Sequence, residues 1–176
     1  MYLELTTPRL TLRPLLVSDL ASTHRYATDS DVTKYMINLP NRSVRETLEF
    51  LQWCEEQWNK QSISDYEFAI CFNGNHIGAI SLSLVGNSCY ELGWILDKRY
   101  HGNGYATEAA RELVRFAATL GASKLVAHCD TRNVASRRVM EKIGMELVVE
   151  QDRQYLDERG VAREYEYVMV LQNFSN

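Results

Sequence analysis

The sequence of 176 residues lacks any continuous apolar run near the roughly 20 residues that a membrane-spanning helix needs. Its start also lacks the charged-then-apolar pattern of a secretory signal. Basic residues are not in excess, because 19 Lys and Arg stand against 23 Asp and Glu, for a formal net charge of −4. These features argue against a membrane protein and against a nucleic-acid binder with a broad basic face. They predict a cytoplasmic protein whose acidic balance suits a cationic partner such as an amine.

Cysteine motifs are also missing. The four cysteines show no C-x-x-C spacing, so the sequence predicts neither a zinc site nor a redox dithiol, and no metal is expected; they are Cys54, Cys71, Cys89 and Cys129. We interpret them as reduced thiols, in keeping with the cytoplasm. The length fits one domain over residues 1–176, and no internal repeat or low-complexity stretch divides it.

Turn and capping signals divide the chain into alternating strands and helices. Hydrophobic periodicity predicts strands over 10–15, 66–72, 76–85, 89–96, 124–129, 145–151 and 163–171, and helices from Ser18 and over 43–60, 105–120 and 133–144. The Asn73-Gly74 pair predicts a hairpin. Ser43 and Glu46 have the capping-box spacing, in which the Glu46 side chain returns to the Ser43 amide. We therefore predict a mixed α/β (α+β) domain with one twisted, mostly antiparallel sheet and helices on both faces.

The segment 99–109, RYHGNGYATEA, follows an apolar strand and opens a helix. Gly102 and Gly104 have no Cβ, so the backbone can take left-handed angles and approach a ligand closely. The unpaired amides at the start of the following helix are donors for an anion. Two glycines between a strand and a helix also occur in plain connections. The neighbouring segments are therefore needed to tell an anion-binding turn from a plain connection.

Those neighbours resemble the GNAT superfamily of acyl-CoA N-acyltransferases. The resemblance rests on the R-x-x-G-x-G turn from Arg99 to Gly104 and on the helix that begins at Asn133. The opening segment 5–15, the Glu-Leu-Gly-Trp strand at 91–94 and the Asn-x-x-Ser spacing resemble the Rim-type branch, which includes ribosomal-protein N-terminal acetyltransferases. The resemblance implies an acetyl-CoA-dependent N-acetyltransferase with a parallel, splayed pair of strands at 89–96 and 124–129.

The resemblance also implies where acetyl-CoA binds. The turn would wrap the pyrophosphate, the backbone at the end of strand 89–96 would face the pantetheine and the acetyl group, and the Asn would meet the pantetheine arm. The implied donor-binding residues are Ile95, Leu96, Arg99, His101, Gly102, Asn103, Gly104, Tyr105, Ala106 and Asn133. His101 departs from the family pattern, in which a basic or amide residue usually precedes the first glycine, but the backbone amides would do the binding.

Acylation of an amine needs a base, because amines are largely protonated near pH 7. Glu91 is the first candidate, since it lies four residues before Ile95 and on the same strand face; a solvated strand Glu is the alternative. Glu67 and Asp130 are weaker candidates. His128 is assigned no chemistry, because adjacent strand residues point to opposite faces and cannot form a triad.

The leaving thiolate must gain a proton, and many family members use a Tyr for this. Here that position is Met140, whose thioether cannot donate a proton. Ser136 lies one helical turn from both Asn133 and Met140 and is the candidate acid, with helix capping as its alternative role. The missing Tyr also leaves open a non-catalytic acyl-CoA-binding module. A dinucleotide-binding protein is disfavoured, because the turn lacks the third glycine of G-x-G-x-x-G.

The acceptor is open at this point. Protein N-termini, polyamines, aminoglycoside-like drugs and amino-acid antibiotics all present an amine, and a homodimer is one alternative for the assembly. The helix 43–60 carries Phe50, Trp53 and Trp58, more aromatic surface than one amphipathic stripe requires. These three belong either to the core or to an acceptor pocket.

Overall fold

The computed structural model describes residues 3–37, 40–155 and 160–171. Within them, the strands are Leu5–Thr6 (β1), Leu10–Pro14 (β2), Asp65–Phe72 (β3), Asn75–Gly86 (β4), Cys89–Leu96 (β5), Lys124–Asp130 (β6), Glu146–Gln154 (β7) and Val161–Val170 (β8). They form one sheet in the order β1-β2-β3-β4-β5-β6-β8-β7. Neighbouring strands are antiparallel except for the parallel pair β5 and β6. This confirms the predicted mixed sheet, which differs from the parallel sheet of a dinucleotide-binding fold.

The helices cover both faces of the sheet, as predicted. They are Leu20–Ala27 (α1), Ser30–Thr33 (α2), Val44–Trp58 (α3), Tyr105–Thr119 (α4) and Val134–Ile143 (α5). On one face, Leu113 of α4 and Met140 of α5 join the main core with Ile80 of β4. On the other face, Leu51 of α3 packs with Ala69 of β3. No helix in the described ranges is long and apolar enough to cross a membrane.

Local signals placed most element boundaries within two or three residues, with two differences. Neither β1 nor α2, a single turn capped by the Asp29 side chain, was predicted. The expected capping box is only half formed: Ser43 Oγ accepts from the Glu46 amide at 3.2 Å, but the Glu46 carboxylate accepts from the Arg42 amide at 2.8 Å. The carboxylate therefore reaches one residue further back than the motif predicts. All four cysteines are free thiols.

Strand β5 passes β4 very closely at Gly78. A Cβ added to Gly78 would lie 2.3 Å from the Ile95 carbonyl oxygen and 2.9 Å from the Leu96 Cα. Both are backbone atoms, so they cannot move aside as a flexible side chain would. Glycine at this position therefore lets the end of β5 follow its path along β4.

We expect Gly78→Ala to lower the free energy of unfolding by about 2 kcal/mol or more, since an extra methyl in a packed region costs about 1–3 kcal/mol. Gly86→Ala on the same strand is the matched control, because its Cβ would make only an ordinary contact at 3.8 Å with Cys89. Urea denaturation of both variants measures the difference. Equal losses in the two variants would contradict the close approach of β5 to β4.

Candidate active site

The site begins where the parallel strands β5 and β6 separate. Their pairing covers only three residue pairs, of which the last joins Glu91 to Val126. Both strands run on, to Leu96 and Asp130, without pairing to each other. The expected splayed pair is therefore present, and it opens the sheet at its centre.

Two adjoining cavities lie at this opening. The narrow cavity, about 90 Å³, is lined by residues that include His128, Asn133 and Ser136. The wide cavity, about 480 Å³, lies on the face of the sheet covered by α1 and α3, and Glu67 and Glu91 line it. Both are lined by Met36, Ile37, Gly93, Trp94 and Arg153. The two cavities are therefore neighbours, separated by these shared walls.

A glycine loop leads from the end of β5 into α4. Gly102 and Gly104 have φ angles of +78° and +80°, the left-handed region predicted for them. In the described part of the chain, no hydrogen bond uses the backbone N–H groups of residues 102–106. A Cβ at Gly102 would meet no protein atom within 4 Å. The loop thus presents unpaired donors and open space at the N-terminus of a 15-residue helix, an arrangement that suits an anion.

Polar side chains of the loop hold its shape. His101 Nε2 donates to the Leu96 carbonyl at 2.9 Å. Asn103 Nδ2 donates to the His101 carbonyl at 3.0 Å. Arg99 Nη2 contacts Asp97 Oδ2 at 2.6 Å, so its guanidinium is already paired. In this geometry the donors that face outward are the backbone amides, and these side chains stabilise the loop.

The first turn of α4 is anchored in the core. Tyr105 is buried, with its ring 4.8 Å from the ring of Phe72, and Ala106 beside it is half-buried. The Arg9 guanidinium lies 4.6 Å over the Tyr105 ring and pairs with Glu108 at 2.6 Å. This packing fixes the direction in which the helix starts.

At the opposite wall, Asn133 caps α5. Its Oδ1 accepts from the Ser136 amide at 3.1 Å. The capping role considered for Ser136 is therefore wrong, because the cap is Asn133 and Ser136 contributes only its backbone N–H. The Ser136 hydroxyl lines the narrow cavity and makes no hydrogen bond with the described residues. Met140, at the position of the family Tyr, is fully buried in the core.

Glu67 is half-buried, and its carboxyl group has no partner in the described chain. It lies on β3 opposite Ser81 of β4, which in turn lies opposite Gly93 of β5, in one row across the sheet. In the described chain, no ion pair or hydrogen bond reaches its carboxyl group. Burial, reinforced by the charge of Asp65, raises the pKa of Glu67 to about 8. The group therefore exchanges its proton near neutral pH.

Glu91, in contrast, is already bound. Its Oε1 contacts His128 Nδ1 at 2.7 Å, and His128 Nε2 contacts Glu166 Oε2 at 3.2 Å. The hydrogen bond to Glu91 and the second one to Glu166 raise the pKa of His128 to about 9 despite partial burial, so the imidazole is charged at neutral pH. Sequence reasoning missed this network, because it joins three strands whose order only the folded sheet reveals.

Asp130 plays a structural part. Arg132 Nη2 binds it at 2.6 Å and the Tyr155 hydroxyl donates to it at 2.7 Å. Although burial opposes ionisation, these bonds hold the pKa of Asp130 at about 2. A carboxylate with so low a pKa is a weak base near neutral pH.

The three aromatic residues of α3 lie in three different environments, so only two of them take a role considered for them. Trp58 is a core residue, and its Nε1 donates to the Glu67 carbonyl at 3.0 Å. Phe50 lines the wide cavity, as does Ile95 of β5. Trp53 stacks on Phe50 with ring centroids 6.1 Å apart but does not itself line the cavity, and 38% of its surface is exposed.

Comparisons with known proteins agree with this geometry. Residues 9–146 match the family described as an acetyltransferase (GNAT) domain. An uncharacterised N-acetyltransferase of Bacillus subtilis, YnaD, is 30% identical over 148 residues, which cover 81% of this chain and 82% of that protein.

Solved structures show the same fold. A GNAT-family acetyltransferase from Bacillus anthracis superimposes with a TM-score of 0.82 at 26% identity, covering 96% of this chain and 98% of that one. The ribosomal L7/L12 alpha-N-protein acetyltransferase RimL, in complex with coenzyme A, gives a TM-score of 0.84 at 17% identity, with 95% and 97% covered. The chain therefore belongs to the GNAT family and is an N-acetyltransferase.

Proposed function

We propose that residues 1–176 form a single cytoplasmic domain that transfers the acetyl group of acetyl-CoA to a primary amine by direct attack in a ternary complex. One observation carries the proposal: Glu67, an unpartnered carboxyl with its pKa raised to about 8, lines a cavity that adjoins the opening between β5 and β6. A module that only binds acyl-CoA would have no use for such a group. The protein RimL is named for acetylating a ribosomal protein, so a protein N-terminus is one candidate acceptor.

The glycine loop supports binding of the acyl donor. The amides of residues 102–106 have no partner in the described chain, and the dipole of α4 adds positive potential at the same point. Its phosphates would lie at the loop, and the thioester, which supplies an activated acetyl group, would lie along the end of β5 at Ile95 and Leu96. Asn133, whose Nδ2 makes no hydrogen bond in the described chain, would meet the pantetheine arm.

We expect Gly104→Ala to weaken binding of coenzyme A by at least about tenfold, because a Cβ strains the left-handed turn that aligns the amides. Gly121→Ala is the matched control: its φ of +77° imposes the same strain, but it follows the other end of α4. Isothermal titration with coenzyme A measures both. Equal affinities of the two variants would remove the loop from the donor site.

Glu67 fits the role of general base better than Glu91. A base works best when its pKa lies near the working pH, and Glu67 meets this condition. The Glu91 carboxylate is engaged by His128. We therefore assign the base to Glu67, and we assign to Glu91, our first candidate from sequence, the ordering of His128 beside the cavity.

The function and this assignment share one test, release of the coenzyme A thiol from acetyl-CoA with amines of each acceptor class. We expect turnover with at least one class, and kcat/KM should fall as the pH drops through about 8, where Glu67 gains its proton. Glu67→Gln should lower kcat by about 10²-fold or more and abolish this pH dependence. Glu91→Gln is the control and should retain the pH dependence of kcat/KM. A pH limb lost in Glu91→Gln and retained in Glu67→Gln would return the base to Glu91, and no turnover with any amine would refute the function.

Ser136 is the proposed proton donor to the leaving thiolate. Because Asn133 supplies the helix cap, Ser136→Ala should lower kcat while the melting temperature stays unchanged. Asn133→Ala, in contrast, should lower the free energy of unfolding by about 1 kcal/mol, because it removes the helix cap. Turnover and thermal melting measured on both variants separate the roles. Full activity of Ser136→Ala would show that the thiolate leaves without its help.

A further inference from the structure

Arg153 is a buried cation where the two cavities meet. It lies near the end of the edge strand β7, in which all the remaining residues are exposed to solvent. Only 10% of the Arg153 side chain is exposed, and it lines both the narrow and the wide cavity. The strand therefore turns one charged side chain inward, toward the place where donor and acceptor would meet.

The fold leaves this guanidinium mostly unsatisfied. Its Nε lies 3.2 Å from Glu164 Oε2, but the angle is too poor for a hydrogen bond, and Nε has no other partner. None of its N–H groups makes a hydrogen bond with the described residues. The Tyr155 ring lies 5.7 Å from the guanidinium carbon. A guanidinium has five donors in a fixed fork that matches a carboxylate. The buried Nε makes no hydrogen bond, which is costly, so an anionic oxygen within reach of the guanidinium would be stabilised.

The wide cavity is lined by two carboxyl groups and one guanidinium, which come from different strands. Glu67 and Glu91 lie on the sheet that forms its floor, and Arg153 comes from β7. The remaining walls are largely apolar and include Tyr26 and Phe50. A ligand that carries an ammonium group, a nearby carboxylate and an apolar side chain would satisfy all three kinds of surface.

We propose that the acceptor is a small molecule with an α-amino-acid end, whose carboxylate binds Arg153 and whose apolar side chain lies against the aromatic wall. This inference rests on the proposed function. The ammonium group gives one proton to Glu67, which passes it to solvent, and the neutral nitrogen forms a bond to the acetyl carbon. The bond from that carbon to sulfur breaks, and the second proton of the nitrogen passes through solvent to the thiolate, directly or by way of the Ser136 hydroxyl, which regains the proton it donates. The products are an N-acetylated amino acid and coenzyme A. A peptide N-terminus has an uncharged amide in place of the carboxylate and so leaves Arg153 unpaired.

The test compares acceptors that differ only beside the amine. L-leucine, L-methionine and L-phenylalanine are each assayed against the corresponding amino-acid amide and decarboxylated amine, with spermidine and an Ala-Ala-Phe peptide amide as the other classes. We expect at least one free acid to exceed its amide and its amine in kcat/KM by at least about tenfold, the discrimination that one charge-assisted hydrogen bond supplies. The inference is overturned if the amides, the amines, the peptide or spermidine are acetylated with a kcat/KM equal to that of the acids. This outcome would leave the acetyltransferase function intact. Absence of turnover with every amine would instead refute the function on which the inference rests.

Variants then assign the preference to Arg153. Arg153→Gln should remove the discrimination mainly through the KM of the acid, with little change for the decarboxylated amine and with affinity for coenzyme A retained. Arg163→Gln, on the partner strand β8 and with 54% of its side chain exposed, is the matched control and should keep the preference. If Arg153→Gln unfolds, the double variant Arg153→Gln/Glu164→Gln is measured in its place. It also removes the charge of Glu164, which the single variant leaves without its cation.

A binding measurement gives a readout independent of turnover. Titration of the preferred acid into the wild-type protein saturated with coenzyme A should give a dissociation constant at least about tenfold below that of the Arg153 variant. Equal binding by wild type and variant would place the carboxylate elsewhere and overturn the inference.

Discussion

The separation of β5 from β6 is the constraint on which the site depends. A parallel pair that stayed in register would join the two strands by hydrogen bonds along their whole length and leave no opening. Each strand is instead held by its outer neighbour: β5 lies close along β4 at Gly78, and β6 pairs with β8 as far as Asp130 and Glu164. The gap is therefore a fixed property of the sheet, built into the pairing on both sides.

Asp97 links this gap to the glycine loop. It follows β5 directly, its amide donates to the Ile77 carbonyl, and its carboxylate accepts from the Arg99 amide. The Arg99 side chain, with help from Arg25 of α1, lowers the pKa of Asp97 to about 2, so it stays ionised wherever the enzyme would work. One carboxylate thus joins the end of β5, the loop and a helix that covers the wide cavity. The direction of the glycine loop is in this way tied to the side of the sheet that carries the wide cavity.

Local chemistry explains what the sequence could predict. The Asn73-Gly74 turn and the left-handed glycines of the glycine loop depend on residues within a few positions of each other, and the sequence predicts both. The raised pKa of Glu67 has no local signal in the sequence, because it comes mainly from burial in the folded protein. Arg153 gives no signal for the same reason, since no local pattern distinguishes this buried side chain of β7 from the exposed Arg163 on the neighbouring strand β8.

The pattern of pairing separates two kinds of charged group in this fold. Asp97 and Asp130 are buried, but each is bound by an arginine and held ionised. Glu67 is half-buried with no hydrogen-bonding partner, and the Nε of Arg153 is buried 3.2 Å from Glu164 without a hydrogen bond. A buried polar group without a hydrogen bond costs about 1–3 kcal/mol. A fold that retains two such groups of opposite character around one cavity is less stable than it would be with apolar walls there. A ligand that pairs with both offsets this cost, so part of its binding free energy comes from satisfying groups that the protein alone leaves unpaired.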